Sequence, residues 1–247
     1  MSGPSWMTWC GSRVSPLALG GESIFGIACD LGCGGWTVLL DALTLAIARD
    51  APIGVVIAAW SGKLSRMYHW DVEHDVFTRG QFVKARASVL AISPDGKYVA
   101  YYAEAHHRRF EAYVAVSHVP YFTAHALFMQ HHLSWRAAHF ASHKKLRLLA
   151  ADDYNPIVAR YDDVVERIDP GCPFKIIRYG WTELRKRGIY IEHHNRSCAE
   201  DQARERQVMR EGSELVAVNR NGLVHTIASF PKEKFEEVAP PDWARTW

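Results

Sequence analysis

The sequence predicts a mainly β protein: antiparallel hairpins in a propeller-like or meander arrangement, a few short helices and an apolar N-terminal leader. Two Asp/Asn-Gly turns lie between β-rich arms, at Ser88–Ala103 and Glu214–Ile227. Charge density also divides the chain, since residues 1–60 hold six charged side chains and no lysine while the other 187 hold 50. Beyond the divide, turn residues punctuate short apolar runs and no helical period is sustained. The expected organisation is therefore a weakly structured apolar leader over 1–61 and a β-rich domain over 62–247.

Within the leader, Leu39, Leu40, Leu43 and Ile47 fall at helical spacing, which predicts one short helix from Trp36 to Ala48. The stretch Trp36–Trp60 is apolar but carries Asp41, Arg49 and Asp50. Its longest uncharged run, Ala51–Gly62, is 12 residues, well short of the roughly 20 that cross a bilayer. The domain then opens on Gly62–Trp70, which alternates as a strand, with Asp71–Asp75 as a polar turn and Val76-Phe77-Thr78 resuming the apolar run. Next comes Ser88–Ala103, in which Pro94 presets φ, Asp95 bonds its own backbone and Gly96 supplies a positive φ. Near the end, Asn221-Gly222 turns a similar hairpin. At about 40–45 residues per four-stranded blade, the chain beyond the leader has room for about four. Between these hairpins, Ala199–Glu211 is a charged run of helix formers stopped by Gly212, expected as a short exposed helix or a loop. Pro240 and Pro241 rule out regular structure at their positions, and Trp243 and Trp247 are expected to anchor the final segment on a sheet.

Four ordered segments carry a family resemblance: Gly62-Lys-Leu with Tyr68-His-Trp-Asp71, Ile92–Tyr101, Val116–Ala124 and Phe235–Ala244. Together they resemble an uncharacterised bacterial protein family with motifs of the GKLYRW, LSPDGK, SRPPYFTA and FExVxAPDWA types. The resemblance spans about residues 62–247 and implies an origin and a fold, with no activity attached. Arginine is usual in that family at His118 and an apolar residue at His125.

Composition narrows the function classes. With 48% hydrophobic and 23% charged residues the chain is an ordinary globular protein, and 29 basic against 27 acidic side chains give no electrostatic commitment to nucleic acid or an anionic membrane. Five cysteines without a Cys-x-x-Cys pair point to a reduced, cytoplasmic setting. Nucleophile-elbow, P-loop and dinucleotide fingerprints are absent.

Histidine carries the sharpest chemical signal. There are thirteen, and His118, His125, His132 and His139 are spaced by seven residues, with His143 four further on. On a helix over 123–150, His125, His132, His139 and His143 would share a stripe, and neutral imidazoles in that spacing bind zinc or nickel, with His132, His139 and His143 as candidate ligands and Asp152, Asp153 or Glu192-His193-His194 to complete the set. That pattern would make a metal-dependent hydrolase. The opposing reading is a strand, because Lys145-Leu-Arg-Leu148 alternates and a strand dissolves the stripe. No cofactor is expected on that reading. Cys172, in Asp169-Pro-Gly-Cys-Pro173, reads as a turn residue. The cluster Lys175, Arg178, Arg185, Lys186 and Arg187 interleaves with aromatics in the manner of a single-strand nucleic-acid surface, but the acidic stretch before it predicts an ion-paired face. The expectation for function is a noncatalytic binding or scaffold module with a protein partner.

Overall fold

A computed structural model describes residues 42–60, 63–107, 110–130, 137–149, 166–179 and 198–247. All of them belong to one unit, Thr37–Trp247. The strands are β1 (Ala42–Ile47), β2 (Ile53–Trp60), β3 (Leu64–Asp71), β4 (Val76–Val83), β5 (Arg86–Ile92), β6 (Tyr98–His107), β7 (Phe110–His118) and β8 (Ala124–Gln130). They continue as β9 (Ala137–Ser142), β10 (Lys145–Leu149), β11 (Glu166–Ile168), β12 (Lys175–Tyr179), β13 (Cys198–Asp201), β14 (Arg206–Glu211), β15 (Glu214–Asn219) and β16 (Val224–Ser229). Among the described residues the one helical element is a 3-10 turn, Asp242–Arg245.

Four sheets result. The first is the meander β1-β2-β3-β4 and the fourth is the meander β13-β14-β15-β16. The second has the order β11-β8-β7-β6-β5, and the third β12-β10-β9. Between the latter two the chain does something local pattern does not foretell: β11 returns to pair with β8, and β12 then joins β10 in parallel. The fold is mainly β with hairpins in four sheets, compatible with the propeller-like or meander arrangement expected, and the turn chemistry behaves as read. Gly96 sits at φ 76° and Gly222 at φ 75°.

Two expectations need correction. The ordered domain does not begin at residue 62, because β1 and β2 lie before it and β2 pairs with β3 along its whole length, from Ile53↔Asp71 to Trp60↔Leu64. The predicted Trp36–Ala48 helix is replaced over its second half by β1, whose Leu43, Thr44 and Leu45 are all buried. A strand covered on both faces loses its alternation and so mimics other apolar elements. Similarly, Ala199–Glu211 is the β13–β14 hairpin, with Asp201, Arg206 and Val208 buried. The rest of the leader lies outside the described residues.

The sheets pack face to face in the order fourth, first, second, third. Along β2, Val56, Ala58 and Trp60 meet Val208, Leu215 and Ala217 of the fourth sheet. The alternate residues Val55 and Ile57 meet Val89, Val99 and Tyr101 of the second. A third core joins Tyr102, Val114 and Phe128 to Phe140, Leu146 and Leu148 of the third sheet. The segment 230–247 then runs back across the sheets as a strap. Phe230 packs edge-on against Tyr68, ring centroids 4.9 Å apart, and Glu233 pairs with the buried Arg66 and accepts from the Tyr68 hydroxyl at 2.9 Å. Further along, Gln81 Nε2 donates to Val238 O at 3.1 Å, and Trp247 Nε1 donates to Asp169 O at 2.9 Å. Trp247 thus anchors the strap as its aromatic character predicts, while Trp243 stays 57% exposed, edge-on to Tyr121.

One prediction arises from the β5–β6 turn. A Cβ on Gly96 would lie 2.6 Å from the Ile53 Cβ, at a φ that L-residues avoid. Gly96→Ala should therefore cost roughly 2–3 kcal/mol, from left-handed strain plus overlap. Urea unfolding checks this, and a loss below about 0.5 kcal/mol would show that the turn relaxes freely.

Candidate functional site

The strands β1, β5, β9 and β13 each form one edge of their sheet. β1 contacts both β5 and β13, and β5 contacts β9, so four sheet edges converge instead of facing solvent. Between them lies a cavity of about 540 Å³. Its walls are apolar: Leu45 and Ile47 from β1, Val89 and Ile92 from β5, and Phe140 from β9. Small residues keep it open, with Ala46, Ala91 and Ala199 contributed by three different strands. Polar groups reach it from Arg49, His139, Cys198, Glu200 and Gln202. Because these strands are edges, the unladdered side of each backbone also faces the centre, so main-chain donors and acceptors add to the polar set.

Ile47, Arg49, Glu200 and Gln202 also line an adjoining cleft of about 630 Å³ between the β1–β2 and β13–β14 turns, which forms the mouth. Charges there are organised around Asp50. Arg49 donates to it twice, Nε to Oδ1 at 2.7 Å and Nη2 to Oδ2 at 2.9 Å, and His143 Nε2 lies 3.0 Å from Oδ2. The Arg49 hydrogen bonds hold the Asp50 carboxyl below the usual carboxylate range. The Asp50 amide donates to Pro94 O at 2.9 Å, which ties the first turn of the first sheet to that of the second.

The candidate metal ligands are dispersed. His139 projects exposed from β9 beside the cavity, His143 sits in the β9–β10 turn on Asp50, and His132 lies outside the described residues. Residues 139–142 are strand, so the helical stripe does not exist there. Among the described residues no three His, Cys, Asp or Glu side chains are grouped to hold a metal. What the structure does bring together is His118 and His125, their ring centroids 5.2 Å apart at the adjoining ends of β7 and β8. Cys172 lies half-buried in its turn with Sγ 3.4 Å from Phe174 O, and burial pushes its thiol pKa up. Lys175 and Arg178 fall on β12, and the remainder of the basic cluster lies outside the described residues.

Sequence reasoning missed the cavity because it placed β1 in the leader. A signal was present nonetheless. Leu45-Ala-Ile47 with Asp50 recurs as Leu90-Ala-Ile92 with Asp95, 45 residues on. That is a blade-length period, and both tripeptides line the cavity. Comparison with protein-family models, curated proteins and solved structures finds no match to this chain.

Proposed function

We propose that this chain, of the bacterial family its ordered motifs resemble, is a noncatalytic binding module that takes a small ligand in the cavity between its four first strands. The observation that carries the reading is the convergence of β1, β5, β9 and β13 on one apolar chamber with a polar mouth. Its size falls within the roughly 300–1,000 Å³ of small-molecule sites, and few polar groups on apolar walls is the pattern that orients a ligand with an apolar body and a polar end. Arg49 is pinned by Asp50, which favours positioning at the mouth over proton transfer. Fold by itself assigns no activity, and the cavity is the feature that speaks for a ligand.

The test uses 1-anilinonaphthalene-8-sulfonate, a probe of suitable polarity, against the folded full chain. Saturable one-to-one binding is expected, weakened at least tenfold by Ala91→Leu, which fills the chamber. Ala199→Leu, on the opposite wall, should act the same way. Thermal melts keep the comparison to folded protein. Unchanged affinity in both filled variants would place the probe elsewhere and sink the reading. Stoichiometric zinc retained through purification, and lost with His139→Ala, would instead turn the search to metal-dependent chemistry.

A further inference from the structure

We propose that segment 239–247 is a pH-released latch, held down while His118 and His125 are neutral and lifted when they take up protons. His125 is fully buried, and neither of its ring nitrogens has a hydrogen-bond partner. Its ring lies 5.1 Å from the Trp247 ring and 5.2 Å from that of His118. The latch itself is well defined. His118 Nε2 donates to Thr246 O at 3.0 Å, Ala244 is fully buried, and Trp247 packs among Tyr98, His125 and Phe174.

A neutral imidazole tolerates this apolar, aromatic setting. An imidazolium does not, because two buried N–H donors without acceptors and an unsolvated charge are both costly. The surroundings offer little relief. The carboxylate facing His125 is Asp169, with Oδ2 3.9 Å from Nδ1, and that carboxylate is already paired to Arg167 at 3.2 Å. His118 faces His125 from β7 and Arg167 acts on it from β11, while Asp95 and Lys97 act on His118 from the β5–β6 turn. The latch contributes Asp242 and Arg245, both exposed and 3.7 Å apart. Burial first, then the neighbouring His118, lowers the pKa of His125, opposed by Asp169 and by the Ala244 main chain, which does not reach hydrogen-bond geometry. Burial likewise lowers His118, against the opposing pull of its backbone hydrogen bonds with Thr246 and Lys97.

With the latch lifted the two rings meet water and titrate near the ordinary 6.5. With it docked they titrate lower, so the lifted state binds more protons as pH falls below about 6.5. Docking is complete above that value and weakens progressively beneath it. Lifting would uncover Tyr98 and Phe174 beside two imidazolium rings, a cationic aromatic face absent at neutral pH.

Hydrogen exchange of the full chain, corrected for intrinsic rates, tests this at pH 7.5 and 5.5. Residues 239–247 should lose protection at least tenfold at pH 5.5 while β5–β8 keep theirs. His125→Phe retains the aromatic packing and should stay protected at both values. Asp169→Asn removes the facing carboxylate, leaves the main-chain acceptor of Trp247 in place, and should increase exchange at pH 5.5 beyond wild type. Protection kept in wild type at pH 5.5, loss spread equally over β5–β8, or equal loss in His125→Phe would each overturn the latch. If His125→Phe fails to fold, an Asp169→Asn chain that exchanges no faster than wild type at pH 5.5 does so.

Discussion

Arg206→Ala should lower folding stability by about 3–5 kcal/mol, the range for removing one partner of a buried charge cluster. The Arg206 side chain is 2% exposed, as is that of Asp201, whose Oδ2 accepts from Nε at 2.8 Å. The other guanidinium nitrogens reach across to the β3–β4 turn. Nη2 donates to Asp75 Oδ1 at 2.7 Å and Nη1 to Oδ2 at 2.8 Å, while Val72 O accepts from Nη2 at 3.3 Å. One side chain therefore clamps the fourth sheet to the first. Burial alone would raise the Asp75 carboxyl, but the hydrogen bonds and charge of Arg206 overcome that and hold it below the usual range. Taking the arginine away leaves Asp201 buried and without that cation. Replacing all three as Arg206→Met, Asp75→Asn and Asp201→Asn removes the charges together and should cost much less than the single change. Urea unfolding of the two proteins decides the matter. A single-variant loss below about 1 kcal/mol would mean that water already solvates the clamp.

The same cluster adds a pH dependence with a definite sign. A carboxyl whose folded pKa is depressed contributes stability that is present above its unfolded value, about 3.9, and is lost as pH falls through the folded one. Wild type should consequently lose stability below about pH 4, and the Asp75 part of that loss should be smaller in Arg206→Ala, where Arg204 still pairs with the carboxylate.

Turns were legible in the sequence because their chemistry is contiguous. Pro94-Asp95-Gly96, Asn221-Gly222 and Asp71–Asp75 each need only their own residues to bend the chain, and antiparallel strands flank all three. The exposed charge expected along Ala199–Glu211 was not legible, because its sign of burial depends on Asp75, 131 residues from Arg206 in the chain. Charged residues with helix propensity read as a solvated surface until their counter-ions are known. β1 was hidden for a different reason: Leu43 and Leu45 pack toward the fourth sheet while the intervening Thr44 Oγ1 accepts from the Val89 amide at 3.0 Å, so no face is left polar. The cavity inherited that blindness, since two of its walls begin in segments read as leader and as charged helix. The histidine spacing was real but its geometry was not helical. His118 and His125 meet because a chain reversal brings two strand ends together, which a period of seven does not encode.

The second large effect lies at Trp70, where Trp70→Ala should cost about 3–5 kcal/mol. The indole is fully buried and stacks on Phe77, ring centroids 5.4 Å apart and planes 14° from parallel. It occupies space left by its cross-strand partner Gly54, where a Cβ would come 2.5 Å from the ring, so no neighbour is placed to fill the void after truncation. Its Nε1 also donates to Asp75 Oδ1 at 3.2 Å, which makes the indole a third donor to the carboxylate that Arg206 and Arg204 bind. Trp70→Phe separates the two roles, keeping most of the ring packing and losing the donor. Its cost, about 1 kcal/mol in wild type, should rise in the Arg206→Ala background, where the indole is one of the few donors Asp75 retains. A double-mutant cycle measures the coupling, expected at 0.5 kcal/mol or more. Additivity within about 0.3 kcal/mol would show that Trp70 acts through packing alone and that the clamp between the first and fourth sheets ends at the two arginines.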